Sequence, residues 1–563
     1  MLPLDRRWVR GYTRIVQLSG PRALGSAPVF STGSLPACRI IPAGLKVTLL
    51  PGSQRIMSEH AEDLAAEKRR FVSDAWTMGL AQVGGSLATW VLLPVLTQNL
   101  GPEKYGLWVL TLVLVSYVLP WCELGLSASL VRFVPGYPGD LERRQALTTA
   151  RRLNGGISLC FGLSLAVGAD WVAQRFLGSA EHGNVIRLLG VLIFLEGQFF
   201  LSNTFLQARE KIGFYALLNA LRSLGDLALL ATLVLWTESL EYLVLAKIGV
   251  LAVLVLCQWY HLRSLGRGIR KSSFSTAAEL RRFMRHGFPL VPTNVVWLLI
   301  MMVDRNMLEH FRSTSAVGIY NVADSIALLL MNLAKPINSV ILPKFSILLS
   351  QDSDEIARYL GKGIKFICLL LLPAVVGIIL TGDILISLLT TPDFAEAIGP
   401  LPFLCLGYFL FSLFYPVYHL VLLQRGGRIV LYLSLISLVI NVVLNLLLIP
   451  SHGETGAGLA TCCCFLFYVT GLALYCRIGF GSSFRRVAGD LGKIAAAAGG
   501  MGLAVMGFRA VFPGTGLPAI LAGVGSYPLL IILSGAVTPA ERDLLLGPLR
   551  RILQLDRTSA GKQ

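Results

Sequence analysis

The sequence predicts an all-α polytopic membrane protein of about fourteen transmembrane helices, arranged as two parallel six-helix lobes with two further C-terminal helices. Three observations predict it. Of 563 residues, 54% are hydrophobic and only 14% charged, with a mean hydropathy of +0.67, whereas soluble domains run near one quarter charged. Apolar stretches of about 20 residues, the length that crosses a hydrocarbon core as helix, recur from Ala75 to Ser534. The basic residues, which give a net charge of +17, sit in alternate loops between those stretches. These features exclude a soluble enzyme, a nucleic-acid-binding module and a disordered scaffold. The excess of Lys and Arg reads instead as a topology signal and as contact with anionic lipid.

Residues 1–70 form an extension expected to be cytoplasmic and disordered. Up to Arg55 its eight basic residues face a single acid, Asp5. That composition resembles a transit peptide; an upstream extension of the reading frame, with Met57 as the working start, is the favoured alternative. The N-lobe, 71–262, carries spans near 75–98, 105–128, 150–168, 186–206, 213–235 and 240–261. A basic cytoplasmic linker, 263–287, contains Arg263, Arg267, Arg270, Lys271, Arg281, Arg282 and Arg285. The C-lobe, 288–480, carries spans near 288–308, 317–342, 363–381, 398–423, 429–449 and 456–476. Spans at 491–511 and 516–534 occupy 481–537, and 538–563 is a cytoplasmic tail.

Orientation follows from Lys and Arg in short loops. The loops after even-numbered spans hold most of them, among them Arg132, Arg143, Arg144, Arg209, Lys211, Lys344, Arg425 and Arg485. The opposite loops hold only Lys104, Arg175, Arg187, Arg312 and Arg509, with acids such as Glu238, Asp383 and Glu396. Both termini are therefore expected on the cytoplasmic side. The chain also reads as internally duplicated, a common construction in transporters. The stretch from Leu100 to Trp108, containing Gly106, has a counterpart roughly 210 residues later from Ser315 to Asn321, containing Gly318. The offset covers six helices, an even number, so the halves run parallel about an axis along the membrane normal. Ten cysteines, nearly all within spans, give no metal spacing and no disulfide framework.

Several motifs make the sequence resemble the polysaccharide-exporter branch of the superfamily that includes the MATE drug exporters, and within it the O-antigen (Wzx-type) oligosaccharide flippases. Asp304-Arg305 ends span 7 and Val317-Gly318-Ile319-Tyr320 opens span 8. Asn441 and Asn445-Leu446-Leu447-Leu448-Ile449-Pro450 close span 11, leading to Gly456-Ala457-Gly458-Leu459-Ala460-Thr461 in span 12. The resemblance covers about residues 70–480. It implies a flippase that moves polyprenyl-diphosphate-linked oligosaccharide across the bacterial cytoplasmic membrane for surface polysaccharide biosynthesis, working beside polysaccharide-assembly proteins. A peptidoglycan-precursor flippase or an ion-coupled drug exporter of the same superfamily is the alternative. A membrane polymerase or ligase is disfavoured by the short external loops.

Ionisable groups inside spans mark candidate function, because each costs about 2.5–3.5 kcal/mol at the bilayer centre on insertion scales. Arg222 and Asp226, four apart in span 5, share a helix face and are expected to pair. Arg222 is read either as half of a structural pair or as a contact for substrate diphosphate. Glu196 in span 4 is a candidate proton-coupling carboxylate or a structural hydrogen-bond acceptor. Lys247 in span 6 is placed to pair with Glu196 or to line the cavity. Asp304 and Arg305 are adjacent, so they are expected to point to different sides of span 7 and to help close an outer gate. Arg305 and Lys335 in span 8 are candidate substrate contacts, and Pro292 is a candidate bend in span 7. Asp352-Ser353-Asp354 fits a metal-dependent glycosyltransferase pattern but lies in a short polar loop. No ATPase-type phosphate loop appears, so no catalytic residue, metal or cofactor is expected, and a proton or sodium gradient or downstream mass action supplies the energy.

Overall fold

The structure, a computed structural model, describes residues 16–17, 48–49, 53–263, 276–348, 353–424, 427–476, 480–512 and 516–538. Most of the extension to residue 52, the linker segment 264–275, Asp352 and the tail beyond 538 lie outside the described residues. Residues 1–78 and 79–563 form two compact units. In the first, Val16–Gln17 pairs antiparallel with Thr48–Leu49.

The second unit is helical. Helix α1 (Ser53–Glu123) begins in the first unit and is followed by α2 (Leu126–Phe133), α3 (Asp140–Val167), α4 (Ala169–Phe176) and α5 (Gly183–Ala208). Then come α6 (Ile212–Val234), α7 (Leu240–Arg263), α8 (Thr276–Gly287), α9 (Val291–Phe311) and α10 (Thr314–Leu348). The series ends with α11 (Ser353–Leu389), α12 (Leu401–Leu423), α13 (Gly427–Tyr475), α14 (Phe480–Val511) and α15 (Gly516–Ser534). Every apolar segment marked in the sequence falls on helix to within a few residues. Among the described residues, ten helices are long and apolar enough to cross a membrane, or eleven when α3 and α4, bent by 80°, count as one broken span.

That number is smaller than the number of apolar segments because α1 and α13 each carry two, the bent α3–α4 pair is counted apart, and the apolar helix Pro518–Ser534 is shorter than the others. Both α1 and α13 are interrupted by a glycine with positive φ, Gly101 (φ 70°) and Gly453 (φ 55°), a conformation that side chains with a Cβ rarely adopt. At Gly453 the chain folds back on itself. The Cys464 thiol donates to the Ser437 carbonyl at 3.3 Å although the two residues are 27 apart, and Leu433 lies against Gly471.

Helix α5 is the hub of the N-terminal helices, packing on α2, α3, α4, α6 and α7. Gly162 of α3 meets Gly190 of α5 backbone to backbone, the close approach that small residues permit where lipid gives helices no hydrophobic reason to associate. Among the C-terminal helices, α13 packs on α9 and α12, and α10 on α11 and α12. Helices α14 and α15 pack on α11 and on each other. Two ion pairs tie α14 to α11, Lys365 Nζ with Asp490 Oδ2 at 2.8 Å and Arg509 Nη1 with Asp383 Oδ1 at 3.1 Å. Tyr527 of α15 donates to the Leu369 carbonyl at 2.8 Å.

Two backbone junctions join N-terminal to C-terminal helices. At the first, a Cβ added to Gly106 would stand 2.0 Å from the Thr314 carbonyl oxygen, and one on Gly318 would stand 2.2 Å from that of Pro102. The contact is reciprocal, Gly106 and Gly318 being separated by 212 positions. At the second, Gly125 (φ 70°) and Gly287 face each other just as closely, and the Ser129 hydroxyl donates to the Phe283 carbonyl at 2.9 Å. Gly318→Ala is expected to force α1 and α10 apart and destabilise the protein by about 1–3 kcal/mol, read as a lowered thermal unfolding midpoint. Gly156→Ala, where a Cβ meets nothing within 4 Å, is the control and leaves the midpoint unchanged or raised.

Candidate functional site

The charged residues of α5, α6 and α7 form two interhelical pairs rather than the single pair on α6 that the spacing suggests. Arg222 Nη2 donates to Glu196 Oε1 of α5 at 2.5 Å, and Asp226 Oδ2 accepts from Lys247 Nζ of α7 at 3.0 Å. The expected Arg222–Asp226 and Lys247–Glu196 pairings are both corrected. The reason is that α6 packs on both α5 and α7, so positions one turn apart can look towards different neighbours. Glu196 and Lys247 would otherwise be uncompensated charges, and removing one partner of such a pair is far more costly than forming it is favourable. The Arg222 guanidinium also lies 5.2 Å from the centroid of the Phe199 ring, a cation–π contact.

A separate ladder of polar side chains is built on Gln198 of α5. Arg151 Nε donates to Gln198 Oε1 at 2.9 Å, Gln198 Nε2 donates to Asn154 Oδ1 at 3.1 Å, and Asn154 Nδ2 donates to the Cys122 carbonyl at 2.9 Å. It ties α5 to α3 and α1.

The second centre is built on α9 and α10. Asp304 and Arg305 do not diverge as adjacency on a helix suggests. Arg305 Nη1 turns back to Asp304 Oδ1 at 2.9 Å and to the Met301 carbonyl at 2.7 Å, while Nη2 reaches Asp324 Oδ2 of α10 at 2.6 Å. The long Arg side chain can fold back over its own helix, and a second buried carboxylate rewards it for doing so. Tyr320 donates to Asp304 Oδ2, and Tyr408 of α12 donates to Asp324 Oδ1 at 2.5 Å. Asp304, Arg305 and Asp324 are 2%, 5% and 6% exposed, so the Arg305 guanidinium is enclosed by its own partners. Asn321 Nδ2 donates to the Tyr105 hydroxyl of α1 at 2.9 Å, and Asn306 Nδ2 to the Tyr117 hydroxyl at 2.6 Å. The cluster is thereby wired to the N-terminal helices beside the Gly106–Gly318 junction.

A third polar group lies in the hairpin of α13. Asn445 Nδ2 donates to Asn441 Oδ1 at 3.1 Å, but Asn445 Oδ1, Asn441 Nδ2 and Thr461 Oγ1 are buried without a hydrogen-bond partner. The fold-back that sets Ser437 against Cys464 puts Thr461 on the turn opposite Asn441. Orphaned oxygens of this kind suit a hard cation such as sodium.

The remaining expected residues are dispersed. Lys335 of α10 is exposed and, among the described residues, has no ion-pair partner. Pro292 sits in the first turn of α9, where its missing N–H breaks no helical bond; the interruption lies earlier, in the 3-10 turn Phe288–Leu290 that joins α8 to α9. Sequence reasoning misses Asp324, although the same intramembrane-charge argument applies to it as to Asp304. Tyr105, Tyr117 and Tyr408 carry no comparable signal, since tyrosines are common in spans. Asp324→Asn is expected to leave Arg305 short of one charge and to cost about 3–5 kcal/mol. Tyr408→Phe, which removes one hydrogen bond to a charged group, should cost about 1–3 kcal/mol. Thermal or denaturant unfolding of the purified protein measures both.

Two family models match the chain, "Polysaccharide biosynthesis protein" over residues 71–349 and "Lipid II flippase MurJ" over residues 223–524, the latter more than half of its length. A probable low-salt glycan biosynthesis flippase of Haloferax volcanii is 23% identical over 393 residues, covering 69% of this chain and 79% of the relative. A putative O-antigen transporter of Shigella flexneri is 22% identical over 313 residues, covering 54% and 73%. Among solved structures, a lipid II flippase MurJ in an inward closed conformation superposes with a TM-score of 0.64 at 17% identity, over 84% of this chain and all of the other. An inward-facing MATE-family multidrug transporter of the MOP superfamily gives 0.52 at 15% identity, over 73% and 98%. The fold is thus the all-helical one these transporters share, and the chain belongs to the lipid II flippase MurJ family, with similarity to flippases of polysaccharide biosynthesis.

Proposed function

We propose that this chain moves polyprenyl-diphosphate-linked oligosaccharide across the cytoplasmic membrane by alternating access of two lobes, with fourteen crossings and both termini cytoplasmic. The observation that carries the reading is the pair of glycine junctions. Gly106 and Gly125 stand at the two ends of one apolar segment, 19 residues or about 28 Å apart at 1.5 Å per residue. One end meets α10 and the other meets α8, so a rocking of the lobes would open either junction while keeping the other shut. Asp304, Arg305 and Asp324, with the neighbouring Asn321 and Asn306 bonded to Tyr105 and Tyr117, fasten the first junction as an outer gate. Lys335, a cation at the end of its span and without an ion-pair partner among the described residues, is the contact for the anionic headgroup in this reading. Arg222, Lys247 and Arg305 are already neutralised.

With Asp324 the acids of these clusters number four, level with Arg222, Lys247, Arg305 and Lys335, so charge balance alone does not separate an anionic cargo from a cationic one; the flippase relatives do. The match to the MurJ family supports a second reading, a peptidoglycan precursor, whose headgroup is also a lipid diphosphate. Sodium coupling is supported by the orphaned Asn445 and Thr461 oxygens.

Transport of a radiolabelled polyprenyl-diphosphate oligosaccharide into proteoliposomes tests the function. Wild type should move it and Lys335→Ala should slow it at least tenfold (about 1.4 kcal/mol) without changing the unfolding midpoint. Uptake of a cationic drug, with no lipid movement, would overturn the reading. Arg222→Ala is expected to lose stability because it strands Glu196. The Glu196→Gln/Arg222→Gln double variant should regain stability but not transport, and full transport by that double variant would make the pair purely structural. Replacing an inward sodium gradient by a proton gradient should stop transport, and Asn445→Ala should abolish the sodium dependence.

A further inference from the structure

Helices α2 and α8 form an open surface cavity of about 450 Å³ lined by Arg132, Phe133, Arg281, Arg282, Arg285 and His286. We propose that this cavity binds a phosphate or diphosphate group, such as that of a lipid headgroup, and that its occupation fastens the nearby Gly125–Gly287 junction. Four guanidiniums converge here, yet only Arg282 has a carboxylate partner among the described residues, Glu279 at 3.4 Å. Glu279 in turn accepts from the Tyr137 hydroxyl at 2.6 Å, which further occupies its charge. Arg132, Arg281 and Arg285 are left with mutual repulsion that an anion would relieve.

The side chains are arranged rather than scattered. Arg132 Nη1 lies 3.3 Å from His286 Nδ1; since arginine only donates, that nitrogen accepts, and the ring is neutral in this contact. Arg282 sits 4.0 Å and Arg132 5.7 Å from the centroid of the Phe133 ring, which itself stacks on Phe283 at 6.1 Å. Guanidiniums held by an aromatic face lose less freedom on binding, and their forked donors match phosphoryl oxygens. The Phe133 wall beside the charges suits a phosphate that carries an apolar chain. The bias of basic residues towards cytoplasmic loops explains why these residues are basic. It does not explain why two helices whose contacts lie 154 residues apart in sequence turn them into one cavity.

The cavity lies beside the second junction, between the same two helices. Arg132 is seven residues beyond the φ-positive Gly125 on α2, and His286 immediately precedes Gly287. An anion gripped by both helices therefore favours the closed junction over any state in which α2 and α8 separate, by its differential affinity for the two. This site would exist whether or not the chain moves lipid, so its failure leaves the transport reading untouched.

Hydrogen exchange on the full chain in phosphatidylcholine nanodiscs tests the proposal, with farnesyl diphosphate and inorganic pyrophosphate as probes. Farnesyl diphosphate at ten times its Kd should slow exchange about tenfold in residues 126–137 and 276–290 together. Equal protection by pyrophosphate would identify the bare anion as sufficient, and protection by farnesyl diphosphate alone would identify the lipid headgroup; either supports the site. Arg132→Gln/Arg285→Gln should abolish the protection with its unfolding midpoint unchanged, while Arg132→Lys/Arg285→Lys retains a fraction of it. No protection of wild type by either probe, or full protection of the Gln variant, overturns the proposal.

Discussion

A charge inside hydrocarbon must be compensated by whatever helix lies beside it, and in this chain that requirement decides which helices touch. Glu196, Arg222, Asp226 and Lys247 lace α5, α6 and α7 through two ion pairs. Asp304, Arg305 and Asp324 do the same for α9 and α10, with Tyr408 extending the contact to α12. Apolar packing cannot select partners in this way, because lipid tails are as apolar as leucine. Glycine seams then set how near the backbones come, and the charges set which backbones meet. Each ion pair is a poor source of net stability and a strong source of specificity, since mispairing would strand a buried charge.

The fold was legible in the sequence to the level of its segments, because the length of an apolar run is a direct measure of a spanning helix. What was not legible is how one segment continues into the next. Gly101 and Gly453 look like any other glycine among the 56 in the chain, yet each ends one apolar segment and begins another. The site was legible in identity but not in pairing. Arg222, Asp226, Glu196 and Lys247 all stand out as charges in apolar surroundings. Spacing along one helix, however, says nothing of the helices on either side, so the local pairing rule matched Arg222 with Asp226 where each has its partner on a neighbouring helix. Asp304 and Arg305 failed similarly, because adjacency fixes where two Cβ atoms point and not where a long, flexible arm can return.

The contact at Gly106 and Gly318 is reciprocal, each backbone needing the other to lack a Cβ. The Gly125–Gly287 contact joins a different pair of elements, so the two ends of that segment are held by different means. One is closed by a symmetric seam flanked with tyrosine–asparagine hydrogen bonds, the other by a glycine pair bordered with arginine. Opening one end and opening the other are therefore chemically distinct events, open to separate control.

The two ion pairs between α11 and α14 have a metric consequence. Lys365 and Asp383 are 18 residues apart and Asp490 and Arg509 are 19, about 27 and 28 Å along a helix. Both intervals are close to the ~30 Å thickness of a bilayer's hydrocarbon core. With one charged pair at either end and, beyond Lys493, mostly apolar side chains between, this helix couple is a ruler. It fits best in a membrane whose core matches its spacing, and a thicker bilayer would draw both pairs into hydrocarbon. The C-terminal helices thereby gauge the membrane around them, and bilayer thickness becomes a variable to which the whole assembly can respond.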